Sequence, residues 1–443
     1  MQALESKVAI NAGQSAETSQ RIFLNDPLLW SPSTPRLYHA RTQILKGGKL
    51  LDQVDTSFGV RSLAWSVEKG LFLNGMPIKL AGGSVHHDNG PLGAAAFDRA
   101  EERKAELLKA AGFNAVRTAH NPPSSAFLDA CDRLGLLVVD EPFDVWTVSK
   151  CKYDYARFFH DWWQTDFDAM VKRDRNHPSV IIGGIGNEIP EVWTTEGASI
   201  AKQLASRVRS LDSTRPLAQA FPGATYGTNP DAAISPVDIA GYNYNLAQNL
   251  PEDHRRVPGR IMMTTESFPA DAFEQWSLVK DHPFVLGEFV WTAMDYLGES
   301  GIGAWSYGTA KQATQMSQMK NFLRAYMAKM GADGKNPMAA FQNGQPPSPL
   351  TLGTLGTQPI VVILTSRDSE NHHRITGIFS GMAGIVFSPP CVCRNLKTRG
   401  SSPRAGASFP HCQAGPGPDR KASPLQSRSI PGPKVCAFTS TTN

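Results

Sequence analysis

Apolar and polar residues alternate in short bursts over residues 1–68, in "KVAINAG", "YHARTQIL" and "LLDQVDTSFGVRSLAW", with Gly, Asn and Pro between them. A period of two is the mark of half-buried strands, so this part is expected to be antiparallel β-structure. It is shorter than the about 100 residues of a complete immunoglobulin-like sandwich, and reads as a partial one. "GLFLNGMPIKL" then sets two apolar runs around Asn74-Gly75, a strong two-residue hairpin signal.

The rhythm changes after residue 76. "PIKLAGGSV" reads as a strand, "FDRAEERKAELLKAAG" as a helix ending at Gly112, and "NAVRTAH" as a strand. "SSAFLDACDRLG" is a helix closed by Gly135, "LLVVDEP" a third strand, and "RFFHDWWQTDFDAMVKRDRN" a long helix leading into "SVIIGGIGN". Strands are expected to begin near 77, 114, 136, 180, 216, 237, 260 and 284, with helices or connections between them. Their runs are almost continuously apolar, as parallel strands covered on both faces should be. That pattern predicts an α/β fold, a (β/α)8 TIM barrel over residues 69–310. Residues 311–345 have helical spacing, whereas 346–443 are low-complexity and rich in Pro, Gly, Ser and Arg. Such a tail is expected to be disordered, because it buries too little surface to offset its chain entropy. One apolar patch within it, "PIVVIL" at 359–364, has no evident partner.

Composition changes this picture little. The 443 residues are 41% hydrophobic and 19% charged, as in a globular protein, and the net charge is +4. That excess comes from the last fifty or so residues, which hold many Lys and Arg and almost no acids. The body is near neutral and offers no nucleic-acid surface. Of the 6 cysteines only Cys131 and Cys151 lie outside the C-terminal part, so neither a disulfide framework nor a zinc spacing follows. No run reaches the about 18 apolar residues of a membrane span, and no signal peptide is visible. The compartment, cytoplasmic or periplasmic, stays open.

In such a barrel reactive groups sit at the C-terminal ends of the strands. Reading those ends gives "HHDN" (86–89), then Arg117, His120 and Asn121, then Asp140, Glu141 and Asp144. Asn187-Glu188 end the fourth strand, Tyr242 and Tyr244 the sixth, and Glu266 the seventh; Glu288, Trp291, Asp295 and Glu299 follow on the eighth. Carboxylates, amides, imidazoles and an indole on one rim suit sugar chemistry, which needs acids for the bond, polar forks for hydroxyls and a flat apolar face.

The segments "FNAVRTAHNPPSSAFLDACDRLGLLVVDEPFDVW", "NHPSVIIGGIGNE", "TTES" and "GEFVWTAMDYLGE" resemble family-2 glycoside hydrolases, the group of β-galactosidases, β-glucuronidases and β-mannosidases. The resemblance runs from about residue 20 to 310. It implies a sandwich ahead of the barrel, of which 1–68 is the remainder, and a further N-terminal domain that this chain lacks. It also implies a retaining exo-β-glycosidase, most like a β-galactosidase, with Glu188 as general acid/base and Glu266 as nucleophile. Glu288 competes for the second role, but it stands within its strand, ahead of Trp291. Asn187 is expected on the sugar 2-hydroxyl, Tyr244 on the nucleophile, and Trp291 under the sugar ring. His87, Asp88, His120, Asn121, Asp295 and Glu299 are expected as further substrate contacts.

No cofactor is implied. Adjacent His and Asp in "HHDN" suggest a metal, but successive strand side chains point to opposite faces and only part of a ligand set is visible. Relatives in this family that bind magnesium after the third strand use places that here hold Val145 and Thr147. A β-glycoside or oligosaccharide is the expected partner. Glucuronidase or mannosidase specificity, or a noncatalytic carbohydrate-binding fragment, are the competing readings; a metal-dependent hydrolase ranks last.

Overall fold

Eight parallel strands close into a ring, each hydrogen-bonded to the next in chain order and the last to the first. The computed structural model describes residues 3–89, 92–222, 230–245 and 249–294, with the backbone of four further strand segments, 305–307, 361–367, 373–378 and 435–442. Ahead of the ring come β1 (Ala3–Lys7), β2 (Tyr38–Lys46), β3 (Lys49–Phe58), β4 (Leu63–Ser66), β5 (Gly70–Leu73) and β6 (Met76–Ile78). The ring itself is β7 (Leu80–Val85), β8 (Ala115–Thr118), β9 (Leu137–Asp140), β10 (Val180–Asn187), β11 (Leu217–Phe221), β12 (Ile239–Asn243), β13 (Ile261–Ser267) and β14 (Val285–Met294). Between these run α1 (Asp98–Ala110), α2 (Ser125–Leu134), α3 (Ala156–Asp174), α4 (Thr195–Leu211), the short α5 (Asp231–Ile234), α6 (Asn249–Arg256) and α7 (Ala272–Asp281).

Local chemistry explains the punctuation. Ser124 caps α2 by accepting from the Phe127 amide, and Gly135 ends it at φ 71°, a left-handed position that costs glycine nothing. A Cβ at Gly135 would also stand 2.4 Å from the Pro32 carbonyl oxygen, so the same glycine admits the N-terminal segment. Asn74 and Gly75, both at positive φ, turn β5 into β6.

That hairpin moves the first ring strand. The sequence expectation began it near 77, but Met76–Ile78 pairs with β5 in a separate three-stranded sheet, β4-β5-β6. The ring therefore starts at Leu80, and Lys79 between the two donates to the carbonyls of His282 and Val285. Residue 68, where the first unit was expected to end, falls in the turn between β4 and β5. Leu71 and Leu73 of this small sheet join Trp30 and the ring residues Leu80, Leu137, Ile182, Ile239, Met263 and Phe289 in one buried cluster. Burying each such side chain stabilises the fold by about 1.5–3 kcal/mol. Trp30 also donates to the Asp132 carbonyl, and Arg61 forks onto the carbonyls of Pro178 and Val180.

The N-terminal β-structure is a four-stranded sheet, β1-β18-β2-β3, in which β18 (Val435–Thr442) pairs antiparallel with both β1 and β2. The patch expected to lack a partner also has one: β16 (Val361–Arg367) pairs parallel with β15 (Trp305–Tyr307) and antiparallel with β17 (His373–Ile378). The helical expectation for 311–345, and the rest of the expected disordered tail, lie outside the described residues.

Candidate functional site

Arg117, on β8, is fully buried and reaches four other strand ends or loops. Its Nε donates to Glu141 Oε1 at 2.7 Å, and its Nη1 to Glu266 Oε1 at 2.8 Å and to the Thr265 carbonyl at 3.2 Å. Its Nη2 donates to Asn187 Oδ1 at 2.8 Å and stands 3.1 Å from His120 Nδ1. A guanidinium has five N–H donors in a fixed fork, and here four of them have an oxygen acceptor in reach. One cation thus sets the orientation of two carboxylates and one amide.

Asn187, at the end of β10, is held from three sides. Its Oδ1 accepts from Arg117 and from Asn243 Nδ2 at 3.1 Å, while its Nδ2 donates to Asp144 Oδ1 at 2.9 Å. Among the described residues, one amide N–H of Asn187 is left for a ligand. Asn243 is itself fully buried on β12; it also donates to Glu188 Oε1 at 3.1 Å and accepts from Thr265 Oγ1 at 2.6 Å. It pairs in register with Glu266 across β12 and β13. Glu188, through Asn243, and Glu266, through Arg117, are thereby tied to the same small network.

Both Glu188 (φ 42°) and Tyr244 (φ 52°) adopt the left-handed backbone region. For residues with a side chain this costs of order 1–3 kcal/mol and persists only where the surroundings impose it. The Glu188 amide is fastened to the Ala220 carbonyl at 2.8 Å, and the Tyr244 amide to the Glu266 carbonyl at 2.6 Å. The Tyr244 hydroxyl favours the ionised form of the Glu266 carboxyl.

Burial raises the Glu266 carboxyl to about 7; Arg117 opposes the shift, the charge of Glu188 adds to it, and the Tyr244 hydrogen bond again opposes it. Burial and then Arg117 press His120 well below its ordinary range, so its ring is neutral, with Nε2 3.6 Å from Glu266 Oε1. Its Nδ1 lies 3.1 Å from both Arg117 Nη2 and Glu141 Oε2, and only one of these is its hydrogen bond in a given tautomer. Asp144 goes the other way: burial would raise it, but the charge of Lys150 and hydrogen bonds from Lys150 and Asn187 outweigh burial and hold it below the usual range.

The remaining expected residues are distributed as follows. Trp291, half-buried on β14, stacks flat on His120 at 5.2 Å and meets His86 edge-on at 4.7 Å. His87 spends Nε2 on the Pro122 carbonyl at 2.9 Å, Asp88 is 1% exposed, and Asn121 is exposed. Tyr242 packs away from the rim, its hydroxyl donating to Asp253 beside Arg260. Glu288 accepts from Ser267 Oγ at 2.7 Å and stands off the Arg117 network, raised to about 7 by burial. Asp295 and Glu299 lie outside the described residues.

Arg117, Glu141 and Asp144 were read as strand-end residues but given no role; Asn243 and Lys150 were not singled out. Lys150 Nζ bridges Asp144 Oδ1 and the Asn187 carbonyl, each at 2.8 Å. Polar side chains ending an apolar run, as in "GYNYN", are the signal for Asn243; a loop lysine carries none. For metals, Thr147 donates from its amide and hydroxyl to Glu191 Oε1, which leaves it a donor rather than a ligand. Among the described residues Asp129, Asp132 and His177 come within 4.8 Å of one another, but Asp132 already accepts from the Ser179 amide and from His177.

Residues 66–329 match the family described as glycosyl hydrolases family 2, TIM barrel domain, and residues 2–61 match glycosyl hydrolases family 2. The chain is 31% identical over 369 residues to the β-galactosidase BoGH2A of Bacteroides ovatus, covering 66% of this chain and 43% of that protein. It is 31% identical over 334 residues to a putative β-glucuronidase of Formosa agariphila, covering 65% of this chain and 32% of that one. The chain thus spans less than half the length of these curated relatives. A crystal structure of a glycosyl hydrolase family 2 member from Bacteroides cellulosilyticus matches with TM-score 0.60 and 49% identity, covering 62% of this chain and 35% of that chain. A β-glucuronidase structure from Bacteroides uniformis matches with TM-score 0.54 and 26% identity, covering 61% and 37%.

Proposed function

The chain belongs to glycosyl hydrolases family 2, and from that premise we propose that it is a retaining exo-β-glycosidase, most like the β-galactosidases. The observation that carries this reading is the pair Glu188 and Glu266, at the ends of β10 and β13, joined through Asn243, Thr265 and Arg117. Glu266 attacks the anomeric carbon while Glu188 gives its proton to the departing glycosidic oxygen. Water then adds to the covalent glycosyl-enzyme, losing its proton to Glu188 and releasing the Glu266 carboxylate. Arg117 and Tyr244 hold Glu266 for in-line attack, and their hydrogen bonds favour its ionised form. The spare N–H of Asn187 is placed for the 2-hydroxyl, a contact that strengthens in the transition state. Trp291, backed by His120, offers the flat surface for the sugar ring.

The two cations of the described rim support a neutral sugar. Four of the five Arg117 donors go to oxygens of the network, and two of the three Lys150 N–H groups go to Asp144 and a main-chain carbonyl. A glucuronide would need a cation free for its carboxylate. Hydrolysis of nitrophenyl β-galactoside, β-glucuronide and β-mannoside by the folded protein tests the reading; turnover of none of them ends it. A 2-fluoro glycoside of the preferred sugar should leave a covalent adduct, mapped by peptide mass to Glu266.

A further inference from the structure

The peptide that joins Asn187 to Glu188 is held at both of its polar atoms. Its carbonyl accepts from Lys150 Nζ at 2.8 Å, and its amide donates to the Ala220 carbonyl at 2.8 Å. A peptide unit is planar and stiff, so holding both atoms sets the rotation about the Glu188 N–Cα bond. That rotation is the left-handed φ of 42°, which a glutamate keeps only where its surroundings impose it. Lys150 therefore does more than pair with Asp144.

Lys150 is itself fastened. Its amide donates to Asp154 Oδ2 at 2.6 Å, and the Cys151 amide reaches the same oxygen at 2.8 Å. At the start of this loop Glu191 Oε1 accepts from the Thr147 amide and hydroxyl, each at 2.8 Å, and from the Val148 amide at 3.3 Å. Glu191 is buried in a short 3-10 helix, Pro190–Trp193, that begins two residues after Glu188. Its own carbonyl accepts from the Thr194 amide at 2.9 Å and the Thr194 hydroxyl at 2.8 Å. A Cβ at Gly197 would stand 2.0 Å from that carbonyl oxygen, so the backbone here is seated against the first turn of α4. The loop after β9 is thus stapled to the end of β10 on both sides of Glu188. Lys150 grips the peptide before it, and Glu191 grips the loop from beyond it.

We propose that Lys150 and Glu191 form a strap that positions Glu188 for proton transfer. Lys150 acts on the Asn187–Glu188 peptide, and Glu191 acts through the loop that bears Lys150. Both are positioning residues, and the proposal rests on the glycosidase reading above, in which Glu188 is the acid. Glu191 Oε2 is buried without a hydrogen-bond partner among the described residues, so Oε1 alone makes the staple. A glutamine keeps one such acceptor, which separates the shape of this side chain from its charge.

The experiment compares kcat/KM for two aryl glycosides of the preferred sugar in the wild type, Glu188→Ala, Lys150→Met, Glu191→Ala and Glu191→Gln. Dinitrophenolate departs without a proton, whereas the phenolate of a phenyl glycoside needs one from the acid. Glu188→Ala sets the benchmark, with a loss of about a hundredfold or more on the phenyl glycoside and little on the dinitrophenyl one. Lys150→Met keeps the aliphatic stem and should lower the phenyl value by about thirtyfold, leaving the dinitrophenyl value within about threefold. Glu191→Ala should show the same split at about tenfold, and Glu191→Gln should return to within about threefold of wild type on both substrates. Either Lys150→Met or Glu191→Ala suffices if the other fails to fold. Equal losses on both glycosides, or no loss on the phenyl glycoside, overturn the strap. A Glu188→Ala variant without the split, or a wild type that turns over neither glycoside, overturns the glycosidase reading instead, so the two failures are distinct.

Discussion

Arg117 Nη1 donates to Glu266 Oε1 at 2.8 Å, and the two residues are 149 positions apart in the chain. Both are almost wholly shielded from water, their side chains 0% and 4% exposed. The same guanidinium serves Glu141 through Nε at 2.7 Å, so one cation is shared between two buried carboxyls. Neither acid could remain charged there without it, because an unpaired charge in such a place is strongly disfavoured.

Arg117→Met should therefore be costly in stability as well as activity. Removing one partner of a buried ion pair typically costs about 3–5 kcal/mol, and here two acids lose their counter-charge. Urea unfolding measures the loss. Arg117→Lys keeps the charge without the fork, and kcat should still fall by about a hundredfold, because a lysine cannot hold Glu266, Glu141 and Asn187 together. Wild-type kcat in Arg117→Lys would refute the positioning role.

Tyr244→Phe should move the pH profile upward. Glu266 is raised to about 7, and the Tyr244 hydrogen bond is one of the contacts that lower it. In its proposed role as nucleophile Glu266 must be ionised, so kcat/KM should decline as pH falls through about 7 in the wild type. Loss of the hydroxyl raises the carboxyl further, and the acid limb of kcat/KM shifts to higher pH. An unshifted limb would separate Tyr244 from the nucleophile.

Glu288 makes stability depend on pH in a direction unusual for an acid. Burial raises it from 4.5 to about 7, so between those values the folded protein holds more protons than the unfolded chain. Stability from this residue is greatest below pH 4.5 and is lost as pH rises through about 7, by at most about 3 kcal/mol. Glu288→Gln carries no such proton. Its stability relative to wild type should increase between pH 4.5 and 8 in parallel denaturant melts; a constant difference would mean that Glu288 is ionised throughout.

The roles of the two acids can be told apart by the product that azide gives. In Glu188→Ala, azide should attack the glycosyl-enzyme from the face vacated by the acid/base and yield the β-glycosyl azide. In Glu266→Ala it should enter from the opposite face and yield the α-azide. NMR of the products assigns the anomer, and exchanged outcomes would exchange the roles.

The ring of strands was legible because each strand is a nearly unbroken apolar run ending in polar residues. "VIIGGIGNE" marks β10 and the polar pair Asn187-Glu188 at its end together. The start of the first strand was misplaced by three residues because Pro77 and Ile78 are as apolar as a ring strand, yet Asn74-Gly75 folds them back onto β5. Strand ends also revealed which polar residues gather on one rim. They could not show that Arg117 spans from Glu141 to Glu266, or that Asn243 sits between Asn187 and Thr265, because such contacts depend on the stagger between non-neighbouring strands. Lys150 was invisible for a simpler reason: it lies in a loop, where no periodicity announces which way a side chain turns.

Trp30 belongs by sequence to the sheet-forming segment, yet its indole is seated in the hydrophobic filling beneath the ring with Leu71, Leu137 and Ile182. That makes it a shared keystone. Neither piece can loosen without exposing the other's interior, so heat should dismantle them together in a single cooperative step, and trimming the chain back past this tryptophan would uncork the barrel from below while leaving the strand-end residues in place.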